Sequence, residues 1–392
     1  MLENDIYWIW IQKALGFGSK KIKSIIEDFK TAKEFFDAGE KEWRFMGCFT
    51  PREINKLSTI KLSDCEEIIK KAESLGQKII TPEHKLYPEK LKSIYNPPCV
   101  LYYKGVFPCV DDSICISIVG TRNASLKGMN MAFDFAFNLA KFEAIIISGG
   151  AKGIDSAAHR GALKALGKTM CVLGCGLNYN YLKENEDMRN SIIKNGTLLS
   201  EFPPDTPAFP RNFPRRNRII SALSNGTLIV EAGPKSGSLI TANLAMEQGR
   251  DVFAIPGDIE NMNYVGANNL IKDGAIMVTC IDDIWREYIN IDNLKSMVSK
   301  YKYVEKTNTE FLKSENTENN NKIQQQPNKI ELPENTSEVS RKIYEILDLQ
   351  PQHVDVISYK AKVSTKDTLR ALTELELLGL ISGCSGRRYK LN

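Results

Sequence analysis

The stretch Phe213-Pro-Arg-Arg-Asn-Arg-Ile-Ile220 precedes a short apolar run at 227–230, which leads into Gly233-Pro-Lys-Ser-Gly-Ser-Leu-Ile-Thr241. Arg211 lies just ahead of it, so four arginines fall within eight residues that contain no acidic side chain. They are Arg211, Arg215, Arg216 and Arg218. A basic cluster and a Gly/Ser turn thus bracket one predicted strand. Guanidinium groups and free backbone N–H groups would then share one sheet edge, where a phosphate-bearing ligand would bind.

Short β-rich apolar runs surround that strand and alternate with helical stretches. The runs are 114–119, 144–147, 169–173, 197–199, 227–230, 252–255 and 276–278. The helical stretches are 126–142, 154–166, 184–194, 239–248 and 265–272. This alternation predicts the α/β class, with an extended Rossmann-like parallel sheet covered by helices on both faces. Such a sheet binds ligands beyond the carboxyl ends of its strands.

The rest of the chain predicts further regions around this sheet domain, which we place at 64–292 with a lead-in at 64–113. Residues 1–63 read as an N-terminal helical domain. Residues 293–333, rich in Asn, Gln, Lys and Glu, predict a disordered linker. Residues 334–392 combine helices at 340–347 and 365–378 with a Gly-turned basic hairpin, as in a winged helix. Its wing would carry Arg387, Arg388 and Lys390.

A Gly16-Phe-Gly18 turn separates two helical stretches in the N-terminal region. It resembles a helix–hairpin–helix (SAM-like) module, which presents backbone N–H groups to a DNA phosphate. A small helical bundle that packs on its neighbour explains the turn equally well.

Composition limits the kinds of ligand and compartment. The net charge is only +4, so anion binding must come from local clusters. Nine cysteines without a CxxC pair and three distant histidines offer no zinc spacing, so we expect reduced thiols, no metal and no cofactor. Glu3 and Asp5 place acidic residues ahead of the first apolar stretch, where a signal peptide has basic ones. No apolar run approaches the roughly 20 residues of a membrane helix. We expect a cytoplasmic protein that does not enter a membrane.

Three predicted strands end in glycine turns. They are Ile118-Val-Gly-Thr-Arg122, Ser148-Gly-Gly-Ala-Lys152 and Leu173-Gly-Cys-Gly-Leu177. Glycine allows close approach of the backbone to a ligand, and the following helix N-terminus supplies N–H donors. Arg122 and Lys152 at neighbouring turns, together with the arginine cluster, predict an anion site, because such cations repel one another unless an anion lies between them.

Several of these residues also have structural interpretations. We expect one of Arg216 and Arg218 to pair with Glu201 or Glu231. Helix capping would explain Asn217, Ser236 and Ser238. Packing or capping is the expected role of His159, and Asp155 would cap or hydrogen-bond its turn, with a metal or base role left open.

At this point six ordered motifs become recognisable over residues 85–280. They are Gly120-Thr-Arg122, Ser148-Gly-Gly-Ala-Lys-Gly-Ile-Asp-Ser-Ala-Ala-His159, Phe213 to Ile220 with Glu231, Ser236-Gly-Ser-Leu-Ile-Thr241, Gly249-Arg-Asp-Val-Phe-Ala-Ile-Pro-Gly257 and Gly266-Ala-Asn-Asn-Leu-Ile-Lys-Asp-Gly-Ala275. The chain resembles the DNA-processing protein A family (DprA/Smf). It departs from the family pattern at Thr121, which keeps the usual hydroxyl, and at Asn178-Tyr-Asn-Tyr181, where a Tyr-Pro is usual.

The resemblance implies a single-stranded DNA-binding homodimer that protects incoming DNA in natural transformation and loads RecA recombinase onto it. By position, Arg122 would clamp a backbone phosphate. Ser148, Gly149, Gly150 and Lys152 would line the same pocket, and Arg216, Asn217 and Arg218 its far wall. The full set of expected DNA contacts adds Gly120, Thr121, Arg211, Arg215, Ser236, Ser238 and Thr241.

Phosphate contacts of this kind carry no sequence information and weaken with salt. Tyr179, Tyr181 or Phe213 could stack a base, worth about 1–3 kcal/mol each. Core packing is the favoured role of Phe213, and the choice for the two tyrosines stays open.

Two other functions compete with this one. Glycine turns and Glu231 also resemble phosphoribohydrolases, which cleave a base from a nucleotide, but no nucleophile–base pair or metal set is visible, and we expect no enzyme activity. The third hypothesis is a regulator that binds duplex DNA through the winged helix.

Overall fold

The computed structural model describes residues 4–288, 336–347, 352–384 and 388–391. The chain divides into two units, with the division after Lys302. The linker predicted at 293–333 lies outside the described residues, and the predicted domain boundaries stay predictions.

A nine-stranded sheet in the order β1-β2-β6-β5-β4-β3-β7-β8-β9 organises the first unit. All pairings from β6 to β9 are parallel, whereas β1 pairs antiparallel with β2 and β2 antiparallel with β6. The strands are β1 Lys78–Ile80, β2 Leu101–Gly105, β3 Cys115–Val119, β4 Ile145–Ser148, β5 Thr169–Leu173, β6 Thr197–Ser200, β7 Gly226–Ile229, β8 Asp251–Ala254 and β9 Ile276–Met277. The seven strands predicted within 114–292 are confirmed.

Thirteen α-helices accompany the described part of this sheet unit. They are α1 Asp5–Leu15, α2 Lys21–Asp28, α3 Ala32–Phe45, α4 Pro51–Thr59, α5 Leu62–Ser74, α6 Glu89–Lys92, α7 Leu126–Lys141, α8 Ile154–Lys164, α9 Glu186–Asn195, α10 Asn212–Leu223, α11 Gly237–Glu247, α12 Val265–Lys272 and α13 Ile281–Trp285. The arginine-rich stretch itself forms α10. Asn217 is therefore in a helix interior, and its predicted role as a cap is wrong.

Helices cover both faces of the sheet, as the alternation of elements predicts. One core contains Leu91 of α6, Ile219 of α10 and Ala242 of α11. The core on the other face contains Ala132 of α7 and Ala158 of α8. The central strands are buried on both sides, which explains why their sequences are continuously apolar.

The direction of the strand order reverses at β3. Strands β4, β5 and β6 follow β3 on one side, and β7, β8 and β9 continue on the other. Parallel sheets leave a crevice at such a reversal, beyond the carboxyl ends of the two neighbouring strands. Here those ends are Val119 and Ile229.

The five N-terminal helices pack around Trp10, Phe35 and Trp43, and the same core includes Tyr102 of β2. The Gly16–Gly18 turn also packs against the sheet unit. The ring centre of Phe17 lies 4.7 Å from that of Phe202, and a Cβ added at Gly18 would lie 3.4 Å from the Nε of Arg218. The turn therefore packs on the sheet unit, which agrees with the second of its two interpretations.

The second unit contains helices Glu338–Ile346, Val354–Ala361 and Thr365–Leu377. A three-stranded antiparallel sheet, β10 Gln352–His353, β11 Ile381–Cys384 and β12 Arg388–Leu391, completes it in the order β10-β12-β11. The pairing of β11 with β12 confirms the predicted hairpin. Arg388 and Lys390 belong to β12, and Arg387 lies outside the described residues.

No helix within the described ranges is long and apolar enough to cross a membrane.

Candidate nucleic-acid interface

A pocket of about 500 Å³ lies at the reversal of strand order, and we call it the strand-end pocket. Four segments form it: the loop after β3, the turn between β4 and α8 with the start of that helix, the N-terminal half of α10 with the residue before its cap, and the N-terminus of α11. Its lining contains Val119, Gly120, Thr121, Arg122, Asn123, Ala151, Asp155, Pro210, Phe213, Pro214, Arg216, Asn217, Ile220, Ser236, Gly237, Ser238, Ile240 and Thr241. The loop after β3 and the N-terminus of α11, which are separated by about half of the sheet unit in the sequence, thus line one cavity.

Arg122 is the exposed cation of this pocket. Its guanidinium carbon lies 5.2 Å from the centre of the Phe213 ring, a cation–π distance. Within the described parts of the chain, the Arg122 side chain forms no ion pair and no hydrogen bond. Its hydrogen-bonding groups are therefore free to meet a ligand.

The guanidinium carbon of Arg216 lies 5.9 Å from the centre of the same ring, but only 4% of the residue is exposed. Its Nη1 donates to the carbonyl oxygens of Gly149, at 2.7 Å, and of Val172. Burial lowers the pKa of Arg216, and the charge of Asp155 opposes that shift. The guanidinium is therefore a fixed positive charge in the floor of the pocket.

Gly149 is needed for this arrangement because Arg216 crosses directly over its backbone. A Cβ at Gly149 would lie 2.6 Å from the guanidinium carbon of Arg216. The Ser148-Gly-Gly motif thus makes room for the buried arginine.

The N-terminus of α11 supplies the third wall. Ser236 caps the helix: its Oγ accepts from the N–H of Ser238 at 3.4 Å and lies 2.8 Å from the hydroxyl of Ser238. The capping role predicted for Ser236 is confirmed, and the helix begins two residues earlier than expected. The positive end of the helix dipole therefore points at the cavity.

Asp155 is the one acidic residue of the lining. Its carboxylate accepts from the N–H groups of Gly149 and Ala151, at 3.2 and 3.3 Å, which confirms hydrogen bonding to its own turn. Burial raises the pKa of Asp155, although the Arg216 charge and the backbone donors oppose this. Against this single acid stand two arginines and a helix N-terminus, so the pocket favours an anion.

Arg218 does not line the pocket, and its predicted place in the far wall is wrong. Its Nη2 lies 2.5 Å from the carboxylate of Glu201, and both residues are almost completely buried. The expectation that either Arg216 or Arg218 pairs with Glu201 or Glu231 is thereby confirmed.

Of the second glycine turn, only Ala151 is part of the lining. Ser148 is buried and donates to the carbonyl of Ile118 at 2.7 Å. Lys152 is exposed and pairs with Glu184. Ser148, Gly149, Gly150 and Lys152 are thus not among the lining residues, and the guanidinium of Arg216 lies over Gly149.

The remaining predicted contacts lie around the rim. Arg211 and Arg215 are exposed on α10, and Arg211 lies 5.3 Å from the ring of Phe209. Tyr181 packs on Phe213 with ring centres 5.3 Å apart, whereas Tyr179 is exposed. Phe213 is half-buried between Tyr181 and the two arginines, so it forms a wall of the pocket.

Glu231 and His159 are both engaged inside the fold. The Glu231 carboxylate accepts from the N–H of Ser125 at 2.9 Å and from its hydroxyl, at the start of α7. The ring of His159 lies 2.8 Å from the hydroxyl of Thr169, and burial lowers its pKa to about 3. His159 is a packing residue, as predicted.

The sequence interpretation did not predict nine of the lining residues as contacts: Val119, Asn123, Ala151, Asp155, Pro210, Pro214, Ile220, Gly237 and Ile240. Each directly neighbours a residue that was predicted or lies in a quoted motif, so adjacency to the motifs was the available signal. In the described ranges, no group of three or more His, Cys, Asp or Glu side chains could hold a metal ion.

The chain is similar to known proteins over most of its length. Residues 78–289 match the family model for DNA recombination-mediator protein A, and residues 327–387 match that for the DprA winged helix domain. Protein Smf of Escherichia coli is 35% identical over 314 residues, which cover 80% of this chain and 77% of that protein. DNA processing protein DprA of Bacillus subtilis is 41% identical over 212 residues, covering 54% of this chain and 71% of that protein.

A solved structure shows the same similarity. The X-ray structure of DNA processing protein A from Streptococcus pneumoniae superposes with a TM-score of 0.65 at 33% sequence identity. The match covers 74% of this chain and all of that one. With a matching sequence model over more than half its length and these relatives, the chain belongs to the DNA recombination-mediator protein A family.

Proposed function

We propose that this protein binds single-stranded DNA through its phosphate backbone, without sequence preference and without changing it chemically. The strand-end pocket would hold one phosphate group. Arg122 would bind that phosphate from the solvent side, with Gly120, Thr121, Asn217, Ser236, Ser238 and Thr241 around it. The names of the relatives as DNA-processing proteins support DNA as the polymer.

One observation carries the proposal: an exposed, unpaired Arg122 at the mouth of a pocket whose floor is the buried charge of Arg216. The buried Arg216 and the exposed Arg122 would contact a phosphate from two sides. The α11 N-terminus adds donors in a third direction. Donors from three directions suit a tetrahedral phosphodiester better than a planar carboxylate.

An aromatic wall at the same place favours an unpaired strand. Phe213 and Tyr181 form one continuous aromatic surface beside Arg122. Bases of a single strand can stack on such a surface, whereas bases inside a duplex cannot reach it. Tyr179, exposed on the same loop, is a second candidate for stacking.

The alternative as a nucleotide-cleaving enzyme lacks support from the geometry. Glu231, the carboxylate that such an enzyme would use, is buried and hydrogen-bonded to the start of α7, and it does not line the pocket. His159 is likewise buried behind the sheet edge. We therefore propose a binding protein that is not an enzyme.

On the family relationship we further propose that the chain acts as a homodimer and passes the bound strand to RecA recombinase. Light scattering on the purified protein tests the first part. Formation of RecA filaments on strands already covered by a single-strand-binding protein, with and without this chain, tests the second.

The decisive experiment is a salt-titrated anisotropy assay with labelled single-stranded and duplex oligonucleotides. We expect preference for the single strand and a log–log salt slope of about −0.7 per phosphate neutralised. Arg122→Ala should lower single-strand affinity at least about tenfold, or about 1.4 kcal/mol. Arg52→Ala, which removes an exposed arginine of α4, is the matched control and should change affinity little.

Equal affinity for both forms, or an unchanged affinity of Arg122→Ala, would contradict the proposal. Removal of residues 334–392 separates it from the winged-helix alternative. If binding depends on Arg388 and Lys390 of β12, and on Arg387 beside them, this truncation abolishes it. If the strand-end pocket binds the strand, most single-strand affinity survives.

A further inference from the structure

Tyr95 is a large aromatic side chain that the fold leaves exposed. It follows α6 in the chain, and 62% of its surface is accessible to solvent. The ammonium group of Lys20, from the N-terminal helices, lies 4.4 Å from the centre of its ring. An exposed ring beside a cation is the pairing that binds a base together with its phosphate in single-strand-binding proteins.

Lys20 differs from its neighbours in α2 because its charge is not compensated. Lys21 pairs with Glu53, and Lys23 lies 4.0 Å from Glu27. Lys20 is exposed and forms no ion pair with any residue in the described ranges. Its free charge is thus available to an external anion.

Two exposed arginines extend the positive charge of the strand-end pocket along α10. Arg211, the N-cap residue of α10, and Arg215 are four residues apart, which places them on one helix face. Arg211 and Arg215 directly follow the pocket-lining residues Pro210 and Pro214, and both are exposed.

The N-terminal turn packs on the same helix. A Cβ at Gly18 would lie 3.4 Å from the Nε of Arg218, which follows Arg215 by three residues on α10. Lys20 is two residues from Gly18 in the chain. Arg218 is buried against Glu201 and adds no free charge, so the exposed cations that remain are Arg211, Arg215 and Lys20.

We propose that a bound single strand continues from the strand-end pocket along Arg215 to a second contact, where Tyr95 stacks a base and Lys20 binds a phosphate. This inference rests on the proposed function, since it extends the same strand. It assigns a DNA contact to the N-terminal region, through the side chain of Lys20, the N-cap residue of α2, instead of through backbone N–H groups of the glycine turn.

Oligonucleotide length tests the second contact. Single strands bind with site sizes of about 4–16 nucleotides per module, so we compare oligo(dT) of about 4 and about 16 nucleotides by competition. Tyr95→Ala should weaken the long strand about tenfold and leave the short one unchanged. Lys20→Ala should reduce the salt slope of the long strand by about 0.7.

Two variants control for the chemistry of the ring. Tyr95→Phe keeps the stacking surface and should bind like the original protein. Phe45→Ala removes another exposed aromatic side chain, on α3, and should have no effect. Photocrosslinking with iodouridine at successive positions of the long strand should label Tyr95 at a fixed distance from the pocket-bound nucleotide.

The two proposals fail in different ways. If Arg122→Ala weakens both strands but Tyr95→Ala affects neither and no crosslink forms, the second contact is wrong and the proposed function stands. If Arg122→Ala leaves both affinities unchanged, the proposed function fails, and this inference fails with it.

Discussion

The guanidinium of Arg218 lies 2.5 Å from the carboxylate of Glu201, inside the fold and beneath Gly18 of the N-terminal turn. Removing one partner of such a pair leaves a buried charge uncompensated, at a cost of about 3–5 kcal/mol. Arg218→Met should therefore lower the free energy of unfolding by about that amount, measured in urea. Once folded, the variant should bind single-stranded DNA like the original protein.

The double variant Arg218→Met/Glu201→Gln serves as the control, since it removes both charges. It should recover most of the lost stability, because neither charge is then left alone in the interior. A folded Arg218→Met protein that has lost its DNA affinity would instead show that this arginine contacts the strand.

A side chain at Gly149 should damage the pocket from behind. In Gly149→Ala the new methyl group would lie 2.6 Å from the guanidinium carbon of Arg216 and displace it from its two carbonyl acceptors. We expect a loss of about 1–3 kcal/mol in unfolding free energy and weaker DNA binding. Gly237→Ala has no atom within 4 Å of its new Cβ, so its stability should not fall. Equal stability of the two variants would refute the argument.

Neutralising Asp155 should tighten binding. Asp155→Asn keeps an acceptor for the N–H groups of Gly149 and Ala151 but removes the negative charge beside Arg216. Affinity for single-stranded DNA at low salt should rise about threefold to tenfold, or about 0.6–1.4 kcal/mol.

Asp134→Asn is the matched control, because it removes the same charge from an exposed position on α7. It should change the affinity less. Weaker binding by Asp155→Asn would mean that the carboxylate is needed to orient the arginine.

The neutral imidazole of His159 should make stability depend on pH. Its folded pKa is about 3, whereas an imidazole in an unfolded chain has a pKa of about 6.5. Below pH 6.5 the unfolded state therefore binds the extra proton, and the free energy of unfolding falls as the pH falls. The slope from this group approaches about 1.4 kcal/mol per pH unit.

His159→Leu removes that proton while Thr169 keeps its donation to the carbonyl of Ile146. Urea unfolding between pH 6.5 and 5 should then show a shallower slope for His159→Leu. Superimposable slopes for the two proteins would contradict the argument.

The strands of the sheet could be predicted from local sequence, but α10 could not. Each central strand is a continuous apolar run because both of its faces are buried. In α10, three arginines, Pro214 and Asn217 obscure the apolar pattern of Ile219, Ile220 and Leu223. Pro214 is compatible with the helix because it lies in the first turn, where no N–H donor is lost.

Whether each arginine is buried or exposed depends on residues far away in the chain. Arg216 is buried because Gly149 leaves room for it, and Arg218 because Glu201 and Gly18 enclose it. Arg122, after a glycine turn, is left exposed. Spacing along the sequence placed these cations near one sheet edge but could not decide which of them solvent would reach.

The reversal of strand order has a consequence for biosynthesis. Because β7 joins β3 only after β4, β5 and β6 have been made, the opposite walls of the cavity leave the ribosome at different times. A nascent chain that has not yet released α11 carries Arg122 without the helix that forms the third wall of the strand-end pocket. The pocket is therefore complete only late in translation, and chains that terminate before α11 cannot form it.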